Sequence, residues 1–144
     1  MMMNFLYLLD SNIISEFSKP EPDANVMSRL KGRERFCAIS AVTLQELQMG
    51  LELLPEGKRK DQIRGFLEVV KRRFSIIPYD RSASVVCGEI LAAMQKVGQP
   101  RPVCDSQIAA TALANSMILV TRNTKDFQPL QKISLLKLEN WFEV

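Results

Sequence analysis

Four acidic residues of this sequence stand beside apolar segments, where a functional site could form: Asp10, Glu46, Asp105 and Asp126. The chain contains no histidine, which excludes a Ser-His or Cys-His nucleophile pair, a histidine general base and the usual imidazole type of zinc site. Its three cysteines show no Cys-x-x-Cys spacing and indicate neither a disulfide framework nor a zinc site. An enzyme built from this chain must therefore work with carboxylates, lysines, cysteines or a metal ion.

Carboxylates that gather in a partly buried site repel one another, so they either take up protons or bind a cation. Oxygen ligands without His or Cys suit Mg²⁺ or Mn²⁺. Such an ion holds and polarises a phosphodiester and activates a bound water molecule. An acidic site of this kind is compatible with hydrolysis of a nucleic-acid backbone.

A basic segment strengthens the nucleic-acid interpretation. Residues 58–73 hold seven of the 19 basic residues of the chain and only two of its 16 acidic ones. The segment predicts a helix with a phosphate-facing surface. The alternative is an ordinary solvated helix face.

Strands and helices alternate along the sequence, which predicts a three-layer α/β/α domain with a mainly parallel central sheet. We expect residues 1–144 to form one such domain. Strands are predicted at residues 5–9, 35–40, 74–79, 117–121 and 133–138. Helices are predicted at residues 10–17, 23–31, 41–54, 58–73, 81–97, 105–116 and 139–144.

Sites in open α/β sheets form at the carboxyl ends of the strands. The first predicted strand ends at Asp10, and the fourth runs into an exit loop that carries Asn123 and Asp126. Asp105 stands at the head of the inward face of its helix, and Glu46 borders a leucine stripe. Each acid also has a simpler interpretation: Asp10 and Asp105 as helix N-caps, Glu46 as a surface residue and Asp126 as a loop acid.

Four segments and the closing residues occur in an order that resembles PIN-domain ribonucleases, and specifically the VapC toxins of bacterial type II toxin–antitoxin modules. These segments are LLDSNIISE, ISAVTLQELQMG, PVCDSQIAATAL, ILVTRNTKDF and ENWF. The resemblance covers nearly the whole chain. It implies an endoribonuclease that depends on Mg²⁺ or Mn²⁺, a cognate VapB-like antitoxin, a homodimer and a toxin–antitoxin hetero-oligomer.

The resemblance also implies roles for individual residues. Asp10, Glu46 and Asp105 match the first three acids of the family. Asp126 is the expected fourth, because Asn123 stands where many relatives carry an Asp. All four acids are expected to bind metal and to act in catalysis. The expected supporting polar residues are Asn12, Ser40, Thr121 and Asn123, and the expected RNA-binding residues are Lys58, Arg59, Lys60, Arg72 and Arg73.

Water is the expected nucleophile because histidine is missing, and the products should carry 5′-phosphate and 3′-hydroxyl ends. No apolar run approaches the roughly 18 residues of a membrane span, and the first residues lack a signal-peptide pattern. The expected location is therefore the cytoplasm, with no membrane partner.

Two other functions remain open from the sequence. The first is a phosphatase that forms an aspartyl-phosphate at Asp10. Such enzymes carry a second acid two residues later, where this chain has Asn12. The second is a non-catalytic RNA-binding module that retains the fold.

Overall fold

A computed structural model describes residues 4–144 of the chain. Over this range, five short strands form one sheet: β1 (Tyr7–Leu9), β2 (Cys37–Ser40), β3 (Ser75–Ile77), β4 (Ile118–Val120) and β5 (Lys137–Glu139). Their order is β3-β2-β1-β4-β5, and every neighbouring pair is parallel. The predicted parallel sheet is confirmed.

Helices connect the strands. Between residues 4 and 144 they are α1 (Ser11–Glu16), α2 (Ala24–Leu30), α3 (Ala41–Leu53), α4 (Lys58–Arg73), α5 (Arg81–Lys96), α6 (Val103–Ala114) and α7 (Thr124–Gln131). A short 3₁₀ helix, Glu34–Phe36, leads into β2. None of the helices in this range is long and apolar enough to span a bilayer.

Side chains on successive strand residues point to opposite faces of the sheet, which separates two layers of core. On one face Leu8 packs in a cluster with Ile90 of α5 and Ile108 of α6. On the other face Leu9 packs with Ile13 of α1 and further residues of α2 and α4. Helices thus cover both faces, and the predicted three-layer α/β/α architecture is confirmed.

Strand β1 lies at the centre of the sheet, where the order of the strands reverses. The chain moves from β1 outward to β2 and β3 and then crosses back to β4 on the other side of β1. Asp10, directly after β1, donates its backbone N–H to the carbonyl oxygen of Val120 across 2.9 Å. The crevice at the carboxyl ends of β1 and β4 is therefore where a ligand site is expected in this class of fold.

Two predicted elements near the C-terminus are wrong. Residues 121–126 do not form a continuous exit loop, because α7 begins at Thr124 and places Asp126 in its first turn. The predicted helix at residues 139–144 does not form, because Glu139 ends β5 and a turn follows at residues 141–142. Trp141 is fully buried there and donates its indole N–H to Glu139 Oε1 across 3.0 Å, which holds the segment against the sheet instead of letting it coil.

The last strand and the start of α6 also differ from prediction. Only Lys137–Glu139 pair with β4, so most of the predicted strand at 133–138 lies outside the sheet. Helix α6 begins at Val103 with Pro102 at its N-cap position, two residues earlier than predicted. Asp105 therefore lies inside the first turn, and its interpretation as an N-cap is wrong.

Candidate active site

Asp10 is a buried carboxylate at the carboxyl end of β1, with 6% of its surface exposed. Its Oδ1 accepts the backbone N–H of Ser11 across 2.8 Å, and Asp10 is the N-cap of α1. Its Oδ2 accepts the hydroxyl of Thr121 across 2.9 Å and the amide of Asn12 across 3.4 Å. Burial raises the pKa of Asp10, and these hydrogen bonds oppose the rise. The capping interpretation is correct, and it leaves one lone pair of Oδ1 free, whereas Oδ2 already accepts two hydrogen bonds.

Asn12 and Thr121 form a polar frame around this carboxylate. The Asn12 side chain donates to Thr121 Oγ1 across 3.3 Å and accepts the backbone N–H of Arg122 across 3.0 Å. Thr121 Oγ1 also accepts the backbone N–H of Asn123 across 3.1 Å. The frame joins α1 to the exit of β4 and so fixes the orientation of Asp10.

Glu46 reaches the same region from the second turn of α3. Ser40, fully buried, caps this helix: its Oγ accepts the backbone N–H of Thr43 across 2.9 Å and donates to Thr43 Oγ1 across 3.0 Å. Burial, followed by the charges of Asp10 and Asp105, raises the pKa of Glu46. Glu46 Oε1 is buried and has no hydrogen-bond partner among residues 4–144. The Glu46 carboxylate therefore has two acidic neighbours, and no hydrogen-bond donor within residues 4–144 stabilises its Oε1.

Asp105 is half-buried in the first turn of α6. Burial raises its pKa most, the negative charges of Asp10 and Asp126 raise it further, and the positive charge of Arg101 lowers it. Asp105 is therefore an electrostatic neighbour of Asp10 at the end of β1 and of Asp126 in α7. The residue thus lies in the region where the sequence predicts it, although not as a cap.

Asp126 and Asn123 are exposed residues at the start of α7. Asp126 acts on the pKa of Asp105 and therefore faces the same region. Its backbone oxygen accepts a hydrogen bond from Arg101 Nη2 across 2.8 Å. Asn123 occupies the N-cap position of α7, but its side chain makes no capping hydrogen bond.

The structure therefore brings the four predicted acids to one edge of the sheet, from four separate elements. Their mutual effects on pKa link Asp10 with Glu46 and Asp105, and Asp105 with Asp126. Within residues 4–144, no three acidic, histidine or cysteine side chains are close enough to form a ready ligand cluster for one ion. The four acids therefore influence one another electrostatically, but they do not form a preorganised metal site.

Sequence reasoning missed two residues of this site. Thr43 is the partner through which Ser40 caps α3, and the Ser-x-x-Thr spacing at a helix start is a signal that could have identified it. Arg101 acts on Asp105 and binds the backbone of Asp126. No pattern in the sequence identifies Arg101, because the contact joins residues 25 positions apart.

A groove of about 380 Å³ runs beside Glu46 between α1, α3 and α4. Its lining includes Arg59 from α4 and Lys19 from the turn after α1, together with the apolar side chains of Leu47 and Phe66. The lining of the groove therefore combines one acidic, two basic and several apolar side chains.

The five basic residues that the sequence assigns to RNA binding are not equivalent. Lys60 is buried, and its ammonium group donates to Glu56 Oε1 across 2.9 Å. Arg73 forms an ion pair with Glu34. The side chains of the remaining three are exposed and form no ion pair within the described part of the chain: Lys58, Arg59 and Arg72.

The sequence is similar to those of known proteins over most of its length. It is 34% identical over 127 residues to the plasmid stability protein StbB of Pseudomonas syringae pv. tomato, a match that covers 85% of this chain and 91% of that protein. It is 33% identical over 137 residues to the tRNA(fMet)-specific endonuclease VapC of Shigella flexneri, covering 94% and 97%. It is 32% identical over 126 residues to toxin FitB of Neisseria gonorrhoeae, covering 85% and 91%.

Solved structures agree with these relatives. FitAcB from Neisseria gonorrhoeae superposes with a TM-score of 0.85 at 29% identity, covering 96% of this chain and all of that one. VapBC2 from Rickettsia felis, bound to a DNA fragment from their promoter, superposes with a TM-score of 0.79 at 29% identity, covering 95% and 99%. The PIN domain model matches residues 7–132. The chain therefore belongs to the PIN-domain family and, within it, to the VapC-type ribonuclease toxins of toxin–antitoxin systems.

Proposed function

We propose that this chain is an endoribonuclease that requires Mg²⁺ or Mn²⁺ and serves as the toxin of a toxin–antitoxin pair. In this proposal four carboxylates hold the metal and its water shell. Asp10 and Asp105 are the principal ligands, Glu46 binds the metal directly or orients the attacking water, and Asp126 completes the set.

The observation that carries the proposal is the carboxylate of Glu46. Its buried Oε1 has no hydrogen-bond donor among residues 4–144, and the charges of Asp10 and Asp105 raise the pKa of the group. A buried anion without a partner is unfavourable, and a cation would relieve it. Because the neighbouring donors are carboxylate oxygens, a hard divalent ion fits the site better than zinc.

The acids differ in how firmly they are held. Hydrogen bonds from Ser11, Thr121 and Asn12 orient Asp10 before any ligand arrives. Hydrogen bonds take no part in the pKa shifts of Glu46 and Asp105. Like charges repel, so we expect these two side chains to move toward Asp10 when a cation neutralises the set.

A divalent ion bound by these acids would polarise the phosphodiester and lower the pKa of a water molecule. The chain has no histidine to deprotonate a ribose 2′-hydroxyl, so we expect water to be the nucleophile. Glu46, whose pKa is raised and whose Oε1 has no hydrogen-bond partner among residues 4–144, would accept the proton of that water. If a bound metal stabilises the leaving 3′ oxygen, the bond from phosphorus to that oxygen would break and the products would carry 5′-phosphate and 3′-hydroxyl ends.

The groove between α1, α3 and α4 gives RNA a path to the acids. Arg59 lines the groove, and Lys58 and Arg72 stand on the exposed side of the same helix. Their charges would attract the phosphate backbone and offset its repulsion from the acids. Lys60 and Arg73 contribute less, because both already have acidic partners.

We further propose a VapB-like antitoxin as the partner. The similar structures of FitAcB and of VapBC2 with promoter DNA support this proposal and the expectation of a toxin homodimer within a larger hetero-oligomer. An arginine from the antitoxin could enter the acidic site and pair with Asp10, Glu46 or Asp105, so that it excludes the metal. We expect the complex to reside in the cytoplasm.

The two alternative functions are less well supported. A phosphatase that uses Asp10 as nucleophile needs an acid two residues later, but Asn12 stands there and its amide holds Asp10 and Thr121. An RNA-binding module without catalytic activity does not require a buried Glu46 Oε1 that lacks a hydrogen-bond partner within residues 4–144. Trapping a phospho-aspartate would favour the first alternative, and RNA binding without cleavage the second.

Cleavage of RNA by the purified chain, freed of antitoxin, tests the proposal. We expect cleavage with Mg²⁺ or Mn²⁺ and none with excess EDTA, with 5′-phosphate ends that a phosphate-dependent exonuclease can degrade. Activity that survives complete chelation would overturn the metal-dependent mechanism. Products with 2′,3′-cyclic phosphate ends would overturn water as the nucleophile.

A further inference from the structure

Arg101 is a partly exposed residue between α5 and α6, four positions before Asp105. Its Nη2 donates to the backbone oxygen of Asp126 across 2.8 Å, which ties the connection before α6 to the first turn of α7. Its charge acts on Asp105. The guanidinium therefore stands at the acidic site, one residue before the segment PVCDSQIAATAL that carries the family resemblance.

Arg101 forms no ion pair within the described part of the chain, although its charge lowers the pKa of Asp105. Its Nε is buried and has no hydrogen-bond acceptor among residues 4–144. A guanidinium has five N–H donors, and the backbone of Asp126 uses one of them. An arginine held in place with unused donors is suited to an anionic ligand.

We propose that Arg101 donates hydrogen bonds to a non-bridging oxygen of the RNA phosphate that approaches the acidic site. This inference rests on the proposed function. The bond to Asp126 orients the guanidinium, so less rotamer freedom is lost when the phosphate binds. The planar fork of arginine matches a phosphate better than the single ammonium of lysine does. Arg101 would also reduce the repulsion between the four acids and the incoming polyanion.

The experiment measures binding of a single-stranded RNA in EDTA at several salt concentrations. The parent is Asp10→Asn, so that the RNA stays intact. Arg101→Gln and Arg101→Lys are added to it. Lys137→Gln is the charge-matched control, because this exposed lysine begins β5 at the opposite end of the sheet. Melting temperatures confirm that each variant folds.

Arg101→Gln should weaken binding roughly ten-fold. It should also reduce the slope of log K against log salt by about 0.7, the value of one lost phosphate contact on a single strand. Arg101→Lys should keep the slope and lose part of the affinity, whereas Lys137→Gln should change neither.

Unchanged affinity and slope in folded Arg101→Gln would overturn the inference and leave Arg101 as a link to α7 only. An equal loss in Arg101→Gln and Lys137→Gln would also overturn it, because the effect would then reflect net charge. If the Asp10→Asn parent binds no RNA, both this contact and the proposed function fail. If the parent binds and Arg101→Gln loses nothing, the contact alone fails.

Discussion

Thr121 donates its hydroxyl proton to Oδ2 of Asp10 across 2.9 Å and so joins the carboxyl ends of β4 and β1, although the two residues are 111 positions apart in sequence. The same oxygen of Thr121 accepts the backbone N–H of Asn123. One side chain thus orients the central carboxylate and the approach to α7.

Thr121→Val should lower both stability and cleavage. The variant keeps the shape of the side chain but removes the donor to Asp10 and the acceptor of Asn123, at a cost of about 1–3 kcal/mol. The pKa of Asp10 should rise further, because the Thr121 hydrogen bond opposes the effect of burial. Urea denaturation and the pH profile of cleavage measure these effects. Thr121→Ser, which retains the hydroxyl, should recover most of both.

Asp10→Asn and Asp105→Asn should each remove most cleavage and leave the chain folded. Each substitution removes a proposed metal ligand at nearly constant volume, which we expect to slow cleavage at least roughly 100-fold. Asn is a good N-cap, so Asp10→Asn should cost less than about 1 kcal/mol of stability. Thermal melting and single-turnover cleavage separate the two effects. A variant that loses its fold while its folded fraction cleaves normally would limit that residue to a structural role.

Glu46→Gln should stabilise the chain in EDTA at neutral pH. The folded-state pKa of Glu46 lies above its ordinary 4.5, so the ionised group is less favourable in the folded than in the unfolded chain. The stability that protonated Glu46 contributes is present below pH 4.5 and is lost as the pH rises through the folded pKa. Gln cannot ionise, so the variant should not lose this stability. Because solvent screens the charge of Glu46, the free energy of unfolding should increase by no more than about 1 kcal/mol.

Urea denaturation at pH values from 4 upward measures this effect, with the exposed Glu52→Gln on the same helix as control. Only Glu46→Gln should flatten the pH dependence. It should also reduce cleavage in Mg²⁺, since the carboxylate is a proposed ligand. A Glu46→Gln chain that is less stable at every pH would show that the carboxylate has a stabilising partner.

Arg72 and Arg73 provide a matched pair for the basic surface of α4. Arg72 is exposed without an ion pair among residues 4–144, whereas Arg73 pairs with Glu34. Arg72→Glu should weaken RNA binding and flatten its salt dependence, with less effect on the cleavage step. Arg73→Glu should weaken binding less, because its charge is already compensated. Filter binding at several salt concentrations distinguishes them, and identical curves for both variants and wild type would reduce this surface to a solvated helix face.

Production of the chain alone in bacteria should arrest growth, and co-production of the cognate antitoxin should restore it. Asp10→Asn should not arrest growth, since it lacks the proposed metal ligand. Growth curves and RNA integrity after induction provide the measurement. Wild-type protein that accumulates without affecting growth or RNA would contradict the toxin role in the host tested.

The sequence predicts the positions of residues in the fold well where local patterns and the parallel sheet determine them. Asp10 follows a buried strand, so the fold places it at the carboxyl edge of the sheet, where the structure has it. Asp105 lies on the inward face of α6, together with the buried residues Ile108 and Ala109. Periodicity identifies such positions because one helix face must be apolar.

The C-terminal elements were less predictable, because tertiary contacts determine them. Thr124–Gln131 contains Pro129, which weakens the helical pattern, yet Phe127 and Leu130 anchor the helix in the core. Trp141 enters the core and bonds to Glu139, so the final residues form a turn. The contact of Arg101 with Asp126 likewise depends on the packed arrangement and leaves no periodic signal.

Cleavage rate as a function of Mn²⁺ concentration, measured with wild type, Asp10→Asn and the Glu52→Gln control, tests the central claim most directly. We expect wild type and Glu52→Gln to be inactive in EDTA and to gain activity along the same saturating curve. Asp10→Asn should need far more Mn²⁺ or remain inactive at saturation, because a carboxylate ligand is missing. Equal activation of all three proteins, or cleavage by wild type without any divalent ion, would contradict a metal site built on these acids.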